Sequence, residues 1–397
     1  MTAKFSKAFT QQEPIPEEAI VRATEILRSG RLHRYNTLAG EASEAALLER
    51  EYATWQGTRY CLAVTSGGQA MQIALRATGV RPGTRVLANA YTLAPVPGAL
   101  HAAGAEVILV EIDENWHTDI ADLRAKAASS GATHLMLSHM RGHVCDMDAI
   151  MDVVRDFDLV LIEDCAHTMG ARWKGTRSGN FGHVACFSTQ TYKHMNSGEG
   201  GFLTTDDAEF AARAVVTSGS YMLYGAHGAV PDEDVFRRLR LDAPNCSARL
   251  DNLRAALLRA QLPELEQNIR RWNERYQILS QEFSTISGVR VPERHQHEAY
   301  VGSSFQFHIT GLGPDLIPDL LARCAQRGVE IKWFGADEPH AFTSRFDSWR
   351  YLGDIPDLRR TRAVLSTTCD IRVPLTFDPA DCALIAQIFE EELKSIQ

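Results

Sequence analysis

The sequence has no apolar run approaching the roughly 20 residues that a bilayer-spanning helix requires. Its first 20 residues lack the apolar core of a secretory leader. It also lacks a basic tract. With 41 Lys and Arg against 50 Asp and Glu, the net charge is −9, which speaks against nucleic acid as a partner because phosphate binding needs a positive footprint. The eight cysteines form no C-x-x-C pair, so neither a zinc knuckle nor a dithiol redox motif is indicated. Those inside apolar runs, such as Cys61 and Cys186, act as small hydrophobes. His139, His143, Cys145 and Asp146 match no zinc spacing, and no metal is expected. Repeats and low-complexity segments are missing too. These absences point to a reduced, cytoplasmic protein.

What remains is an ordinary globular composition, 45% apolar and 23% charged over 397 residues, and that length predicts two domains. From about residue 60, short Val/Leu/Ile runs alternate with amphipathic segments. The runs predict strands at 60–64, 85–88, 106–110, 134–138, 159–163, 184–188 and 201–204. Helices are predicted over 68–77, 91–102, 120–128 and 147–156. Buried strands alternating with helices argue for an α/β fold with a mainly parallel seven-stranded sheet. This large domain is assigned residues 1–245. A long helix over about 247–284, interrupted at Pro263, opens residues 246–397, a smaller α+β domain with strands at 303–310 and 329–333 and helices at 314–327 and 379–395.

The chemistry centres on Glu163 and Asp164, which end an apolar strand where open α/β sheets bind ligands. Two acids entering solvent would be the bland explanation. Next comes Lys193, placed between a strand and the glycine-rich Gly198-Glu-Gly-Gly201. A strand-end carboxylate with a lysine on the following connection suggests pyridoxal 5′-phosphate (PLP). The acid keeps the pyridine nitrogen protonated, and a desolvated lysine near other cations becomes a neutral nucleophile. Ser66-Gly-Gly68 joins a strand to a helix, a junction suited to an anion.

This ordered set resembles the DegT/DnrJ/EryC1/StrS family of fold-type I PLP-dependent sugar aminotransferases. The resemblance is carried by Ser66 to Met71, Gly104 to Asp113, His139 to Gly142 with Asp146 to Asp148, Glu163 to Ala171, and Phe187 to Gly201. It spans about residues 20–280, and more loosely the small domain through Arg372 to Leu375. It implies the aspartate aminotransferase-like fold and a homodimer with the active site at the subunit interface. Lys193 would be the Schiff-base and proton-shuttling lysine, Asp164 the partner of the ring nitrogen, and His167 a neighbour of the ring. Gly67, Gly68, Gln69 and Ser188 would hold the phosphate.

Some positions depart from the family pattern. Leu93 stands where an aromatic residue usually covers the ring, with Tyr91 nearby, and Gly68 stands where a Thr supplies a hydroxyl. Ser247 replaces an Asn that reaches the partner's phosphate, with Asn245 two residues earlier. Arg31, His33 and Arg34 make the loop expected to lead into the active site basic, and Arg141 replaces a common Tyr. The planar guanidinium fork suits carboxylate or phosphate; surface salt bridging is the competing reading. Residues 334–349 are expected to form a loop over the site's mouth.

The reaction implied is ping-pong transamination, with glutamate or glutamine as amino donor and a keto sugar (nucleotide-linked, or a cyclitol) as acceptor. A non-sugar ketone or keto acid is the alternative. A sugar dehydratase of the same fold would carry His in place of the lysine, and here His194 follows an intact Lys193. A non-catalytic scaffold would need neither Lys193 nor Asp164.

Overall fold

The computed structural model describes residues 3–338 and 345–397. Helices α1 (Glu17–Ser29) and α2 (Glu44–Gln56) precede the first strand. The strands then run β1 (Tyr60–Val64), β2 (Arg85–Asn89), β3 (Glu106–Val110), β4 (His134–Ser138) and β5 (Val160–Asp164), followed by a short hairpin of β6 (Arg172–Trp173) and β7 (Thr176–Arg177), then β8 (Val184–Ser188) and β9 (Gly201–Thr205). Seven of them form one sheet in the order β1-β9-β8-β5-β4-β2-β3. Neighbours from β8 to β3 are parallel, and β9 pairs antiparallel with both β8 and β1.

Alternation along the strands explains why the sheet is covered on both faces. In β1, Cys61 and Ala63 join a core built with α2 and helix Met147–Asp156, while Leu62 and Val64 join one built with α3 (Gly67–Ala77). The central β5 contributes Leu161 to the first and Ile162 to the second, both fully buried. Truncating either to Ala should cost about 2–5 kcal/mol. This double burial produces the continuous apolar runs visible in the sequence.

The helix expected over 247–284 is Asn252–Gln261 and Leu265–Ser284, joined by a 3₁₀ turn at Leu262–Glu264, because Pro263 cannot donate to the helical ladder. Its first half packs on α1 and α2. Its second half enters another core through Tyr276, Leu279 and Phe283. That core lies on a four-stranded antiparallel sheet, ordered β10 (Val289–Arg290), β12 (Ser304–Ile309), β14 (Thr368–Arg372) and β13 (Lys332–Trp333), backed by helices Ile317–Gln326 and Pro379–Ile396. β11 (Glu298–Ala299) extends the β6–β7 hairpin. Phe5 and Phe9 also join the small core, packing edge-on against Phe377.

The helix predicted from residue 91 begins at Pro95. Asn89 Nδ2 donates to the Tyr91 carbonyl (2.9 Å), so Tyr91 to Leu93 form a loop above the sheet end. Residues 339–344 of the expected mouth loop lie outside the described residues. Its flanks, Phe334, Phe346 and Trp349, pack in one cluster with Tyr91 and Trp116.

Candidate active site

The carboxyl ends of β4 and β5 build the floor. Ser138 and Asp164 are register partners across the parallel pair, so Ser138 Oγ reaches Asp164 Oδ2 at 2.7 Å. Thr92 Oγ1 donates to Ser138 Oγ (2.8 Å), and Asn89 holds the Ser138 backbone through both its N–H and its carbonyl. The Ala166 N–H donates to Asp164 Oδ1 (3.1 Å). Asp164 is thus a buried carboxylate held at both oxygens. Glu163, beside it, points to the opposite face. It accepts from the N–H groups of Gly179, Phe181 and Gly182 and sits 3.2 Å from His139 Nε2, as a strut for the loop after β7.

Lys193 lies in the turn between β8 and β9, which is closed by backbone hydrogen bonds Ser197 to Thr189 and Thr191 to Gly198. Its Nζ is 2.7 Å from His167 Nε2. Burial, then the positive charges of Arg141, Arg372 and Lys332, outweigh the opposing pull of Asp164 and bring the amine down to about 7. Burial and the adjoining Lys193 also hold His167 well below its usual range. The pair is therefore a neutral imidazole beside an amine that titrates near neutrality. His194 turns away. Its Nε2 meets Ser303 Oγ at 3.0 Å, its ring lies against Trp272, and burial pushes it down to about 3.

An adjoining cavity of about 420 Å³ is lined by Ser66, Gly67, Gly68, Leu93, Arg141, His167, Ser188 and Lys193, a size that suits a small ligand. At its anion end α3 begins, with Ser66 as N-cap accepting from the Gln69 N–H (3.1 Å). A Cβ on Gly67 would stand 2.8 Å from Ser188 Cβ, whereas one on Gly68 would meet only Ser66 Oγ at 3.7 Å. Gly67 is fixed by close approach, and Gly68 leaves bare backbone facing the cavity at a positive helix end.

Not every residue singled out in the sequence comes to this cavity. Gln69 was expected at the phosphate, but its N–H is spent on the Ser66 cap and it does not line the cavity. Tyr91 is buried against Phe334, whereas Leu93 lines the cavity. Arg34 was expected at the substrate; it is instead fully buried, paired with both oxygens of Glu49 at 2.9 and 2.8 Å and 2.9 Å from His227 Nδ1. Arg31 pairs with Glu41. His33 is exposed, its backbone carbonyl held by Asn252. Asn245 and Ser247 are exposed as well, with the Ser247 N–H donating to Asn245 Oδ1 (3.0 Å). None of these four lines the cavity of its own chain.

Conversely, Tyr192, Ser303, Ser304 and Arg372 line the cavity without having been singled out for it. Arg372 lies over the Tyr192 ring at 3.8 Å. Arg372 and Ser304 belong to the four-stranded sheet, as register partners, so only tertiary packing brings them to Lys193. The adjacency of Tyr192 to Lys193 was the one local signal.

A mainly parallel sheet, a buried carboxylate at the end of its central strand and a depressed-pKa lysine on the next connection define a fold-type I aminotransferase. The chain belongs to the DegT/DnrJ/EryC1/StrS aminotransferase family, which it matches over residues 14–334. It is 31% identical over 324 residues to the 3-amino-5-hydroxybenzoate synthase of Amycolatopsis mediterranei, covering 81% of this chain and 79% of that one. It is also 31% identical over 222 residues to the GDP-perosamine synthase of Caulobacter vibrioides, covering 56% of this chain and 57% of that one. A crystal structure of 3-amino-5-hydroxybenzoic acid synthase superimposes with a TM-score of 0.82 at 25% identity over the whole of both chains.

Proposed function

We propose that this aminotransferase uses PLP to take an amino group from glutamate or glutamine and deliver it to a keto sugar or keto cyclitol. The observation that carries the reading is the Lys193 amine, poised near neutrality, 2.7 Å from His167 Nε2 and on the same cavity as the Gly67–Ser188 cradle. The residues fit the cofactor. Ser66, Gly67, Gly68 and Ser188 would hold its phosphate, Asp164 its ring nitrogen, and Leu93 and His167 would flank its ring. When bound, PLP supplies an electron sink for the substrate's Cα–H bond.

The chain's own residues do the rest. Lys193 Nζ, neutral in about half the molecules at pH 7, takes a proton from one carbon and returns it to another, which needs an amine titrating near the working pH. His167 accepts a hydrogen bond from that amine and orients it. Ser138, held by Thr92 and Asn89, fixes the Asp164 carboxylate.

The exposed positions support a homodimer. His33, Asn245 and Ser247 lie with Arg249, whose guanidinium covers the Tyr221 ring, beside exposed Leu32, Met222 and Leu223. A second copy on this apolar face would carry Asn245 or Ser247 to its partner's phosphate site. Amino-group transfer from ¹⁵N-glutamate or ¹⁵N-glutamine to a panel of keto sugars and cyclitols, read by mass spectrometry, tests the reading. Label in the sugar supports it; label in none of the panel refutes it.

A further inference from the structure

We propose that a second cavity, beside the one lined by Lys193, holds an apolar, ring-sized substituent of the acceptor. This rests on the transamination reading above and narrows its acceptor: a keto sugar or keto cyclitol that carries an uncharged apolar group rather than a nucleoside diphosphate.

The second cavity measures about 1040 Å³, against about 420 Å³ for the Lys193 cavity, which would also have to hold the cofactor. It lies between helix Ile317–Gln326, β13 and the N-terminal segment at Phe9 and Thr10. Tyr192 and Arg372 line both cavities, and the Arg372 guanidinium lies over the Tyr192 ring at 3.8 Å. The two cavities therefore meet at this stacked pair. A substituent on a ring held beside Lys193 reaches the second cavity along it.

The walls are apolar by design of the helix. Pro318, Leu321, Ala322 and Ala325 recur at three- and four-residue spacing and all line the cavity, so they share one face. Ile317, Leu320 and Cys324, on the adjoining face, are buried in the core on the four-stranded sheet. The helix thus has two apolar faces, one packed and one open, with Pro318, Ala322 and Ala325 exposed. A contiguous apolar surface left open in this way marks a binding groove. Ile331 and Trp333, both half-buried, supply the opposite wall. Trp333 is fixed there. Its Nε1 donates to the Ser366 carbonyl (2.8 Å), and Gly335 packs so closely that a Cβ on it would stand 2.6 Å from the ring.

Size and charge identify the occupant. Glutamate and glutamine are small and charged and carry no apolar ring, so the donor makes no use of this surface, and the acceptor is left to fill it. A nucleoside diphosphate would match the volume but not the charge. Asp315, Glu330, Asp337 and Glu338 line the cavity, all exposed. Among the described residues the cations that line it are Lys332 and Arg372, and Lys332 Nζ is 3.9 Å from Asp370 Oδ2. A diphosphate is held by cations or by a helix N-terminus; here it would face carboxylates, whereas an uncharged apolar group would not be repelled.

The acceptor meets the enzyme in its pyridoxamine phosphate form, which is prepared by loading that cofactor directly and needs no donor. Methyl α-glucoside, phenyl α-glucoside and UDP-glucose are compared on this protein by calorimetry. A ring that buries about 100 Å² of apolar surface gains about 30- to 70-fold in affinity. Phenyl glucoside should therefore bind at least 30-fold tighter than methyl glucoside, and UDP-glucose no tighter than methyl glucoside. Ala325→Trp and, separately, Ala322→Trp fill the cavity from exposed helix positions and should bring the phenyl preference below about threefold. The preference is a ratio within one protein, so a partly folded variant does not alter it. Equal binding of the two glucosides, a phenyl preference that survives both substitutions, tighter binding of UDP-glucose, or binding of none of the three overturns the proposal. Failure of glutamate and glutamine to convert the PLP-loaded protein would instead sink the transamination reading, and it leaves these ratios as measured.

Discussion

Replacing Arg141 by Met should raise the pKa of Lys193, and replacing Asp164 by Asn should lower it. The cations around the amine disfavour its charged form, Arg141 most among them, while Asp164 favours it. The two substitutions therefore act with opposite sign on one group. At about 7 the lysine is about half neutral at pH 7, against about one molecule in 2500 for an ordinary lysine near 10.4. A single charge across a part-buried cavity contributes about 1–2 kcal/mol, or about one pH unit. Arg141→Met should thus cut the neutral fraction at pH 7 about fivefold, and Asp164→Asn should bring it close to complete. The assay is the pH profile of Lys193 acylation in cofactor-free protein, read by peptide mass spectrometry, with exposed Lys394 as internal standard. Profiles that move in the same direction in both variants, or a wild-type midpoint near 10, would refute the electrostatic reasoning.

Other consequences follow from single contacts. Gly67→Ala places a methyl 2.8 Å from Ser188 Cβ and should weaken PLP binding at least tenfold. Gly68→Thr places its Cβ no closer than 3.7 Å to a neighbour and should bind PLP equally or more tightly; equilibrium dialysis of the pair checks both. Ser138→Ala removes a hydrogen bond to a carboxylate, worth about 1.5–3 kcal/mol. It should lower the rate of the first half-reaction more than it changes KM for the donor, as stopped-flow absorbance would show. Arg34→Met leaves Glu49 buried without its guanidinium and should cost about 3–5 kcal/mol in urea unfolding at pH 7. Glu49 is held below its usual range by Arg34 and His227. Its contribution to stability is therefore complete above about pH 5 and is lost as the pH falls below that, so the gap between wild type and variant should narrow in acid.

Much of the fold could be read from the sequence because the central strands are buried on both faces. Leu161 and Ile162, or Ala185 and Cys186, contact different cores yet are equally apolar, and the resulting runs are hard to mistake. β14 was not legible. Its Thr368, Asp370 and Arg372 alternate with Cys369 and Ile371, and Thr368 and Asp370 are buried in polar contacts with distant residues, Trp116, Gln306 and Arg141. α2 escaped for a similar reason: Glu44 and Glu49 fall on its buried side, which blurs the amphipathic stripe. At the site, Lys193, Asp164, His167 and Ser188 were accessible because each sits at the end of a strand or in the connection that follows one. Arg34 misled because its partners, Glu49 and His227, are 15 and 193 residues away and nothing local distinguishes a buried ion pair from a substrate-binding arginine. Arg372 and Ser304 were invisible as site residues because only the packing of the small sheet against the turn at Arg141 brings them to the cavity.

The account turns on Lys193 as the group that links amino donor to cofactor and moves the proton. Its most direct test is an absorbance titration of PLP-loaded wild type and Lys193→Ala with glutamate and with glutamine. The account predicts that, in the wild type, one donor converts the visible band of the lysine-linked cofactor to the pyridoxamine form with one equivalent of 2-oxo acid released. In the variant no conversion should occur on the same timescale. Conversion at the wild-type rate without the lysine, or a wild type that forms no lysine-linked band at all, would contradict it.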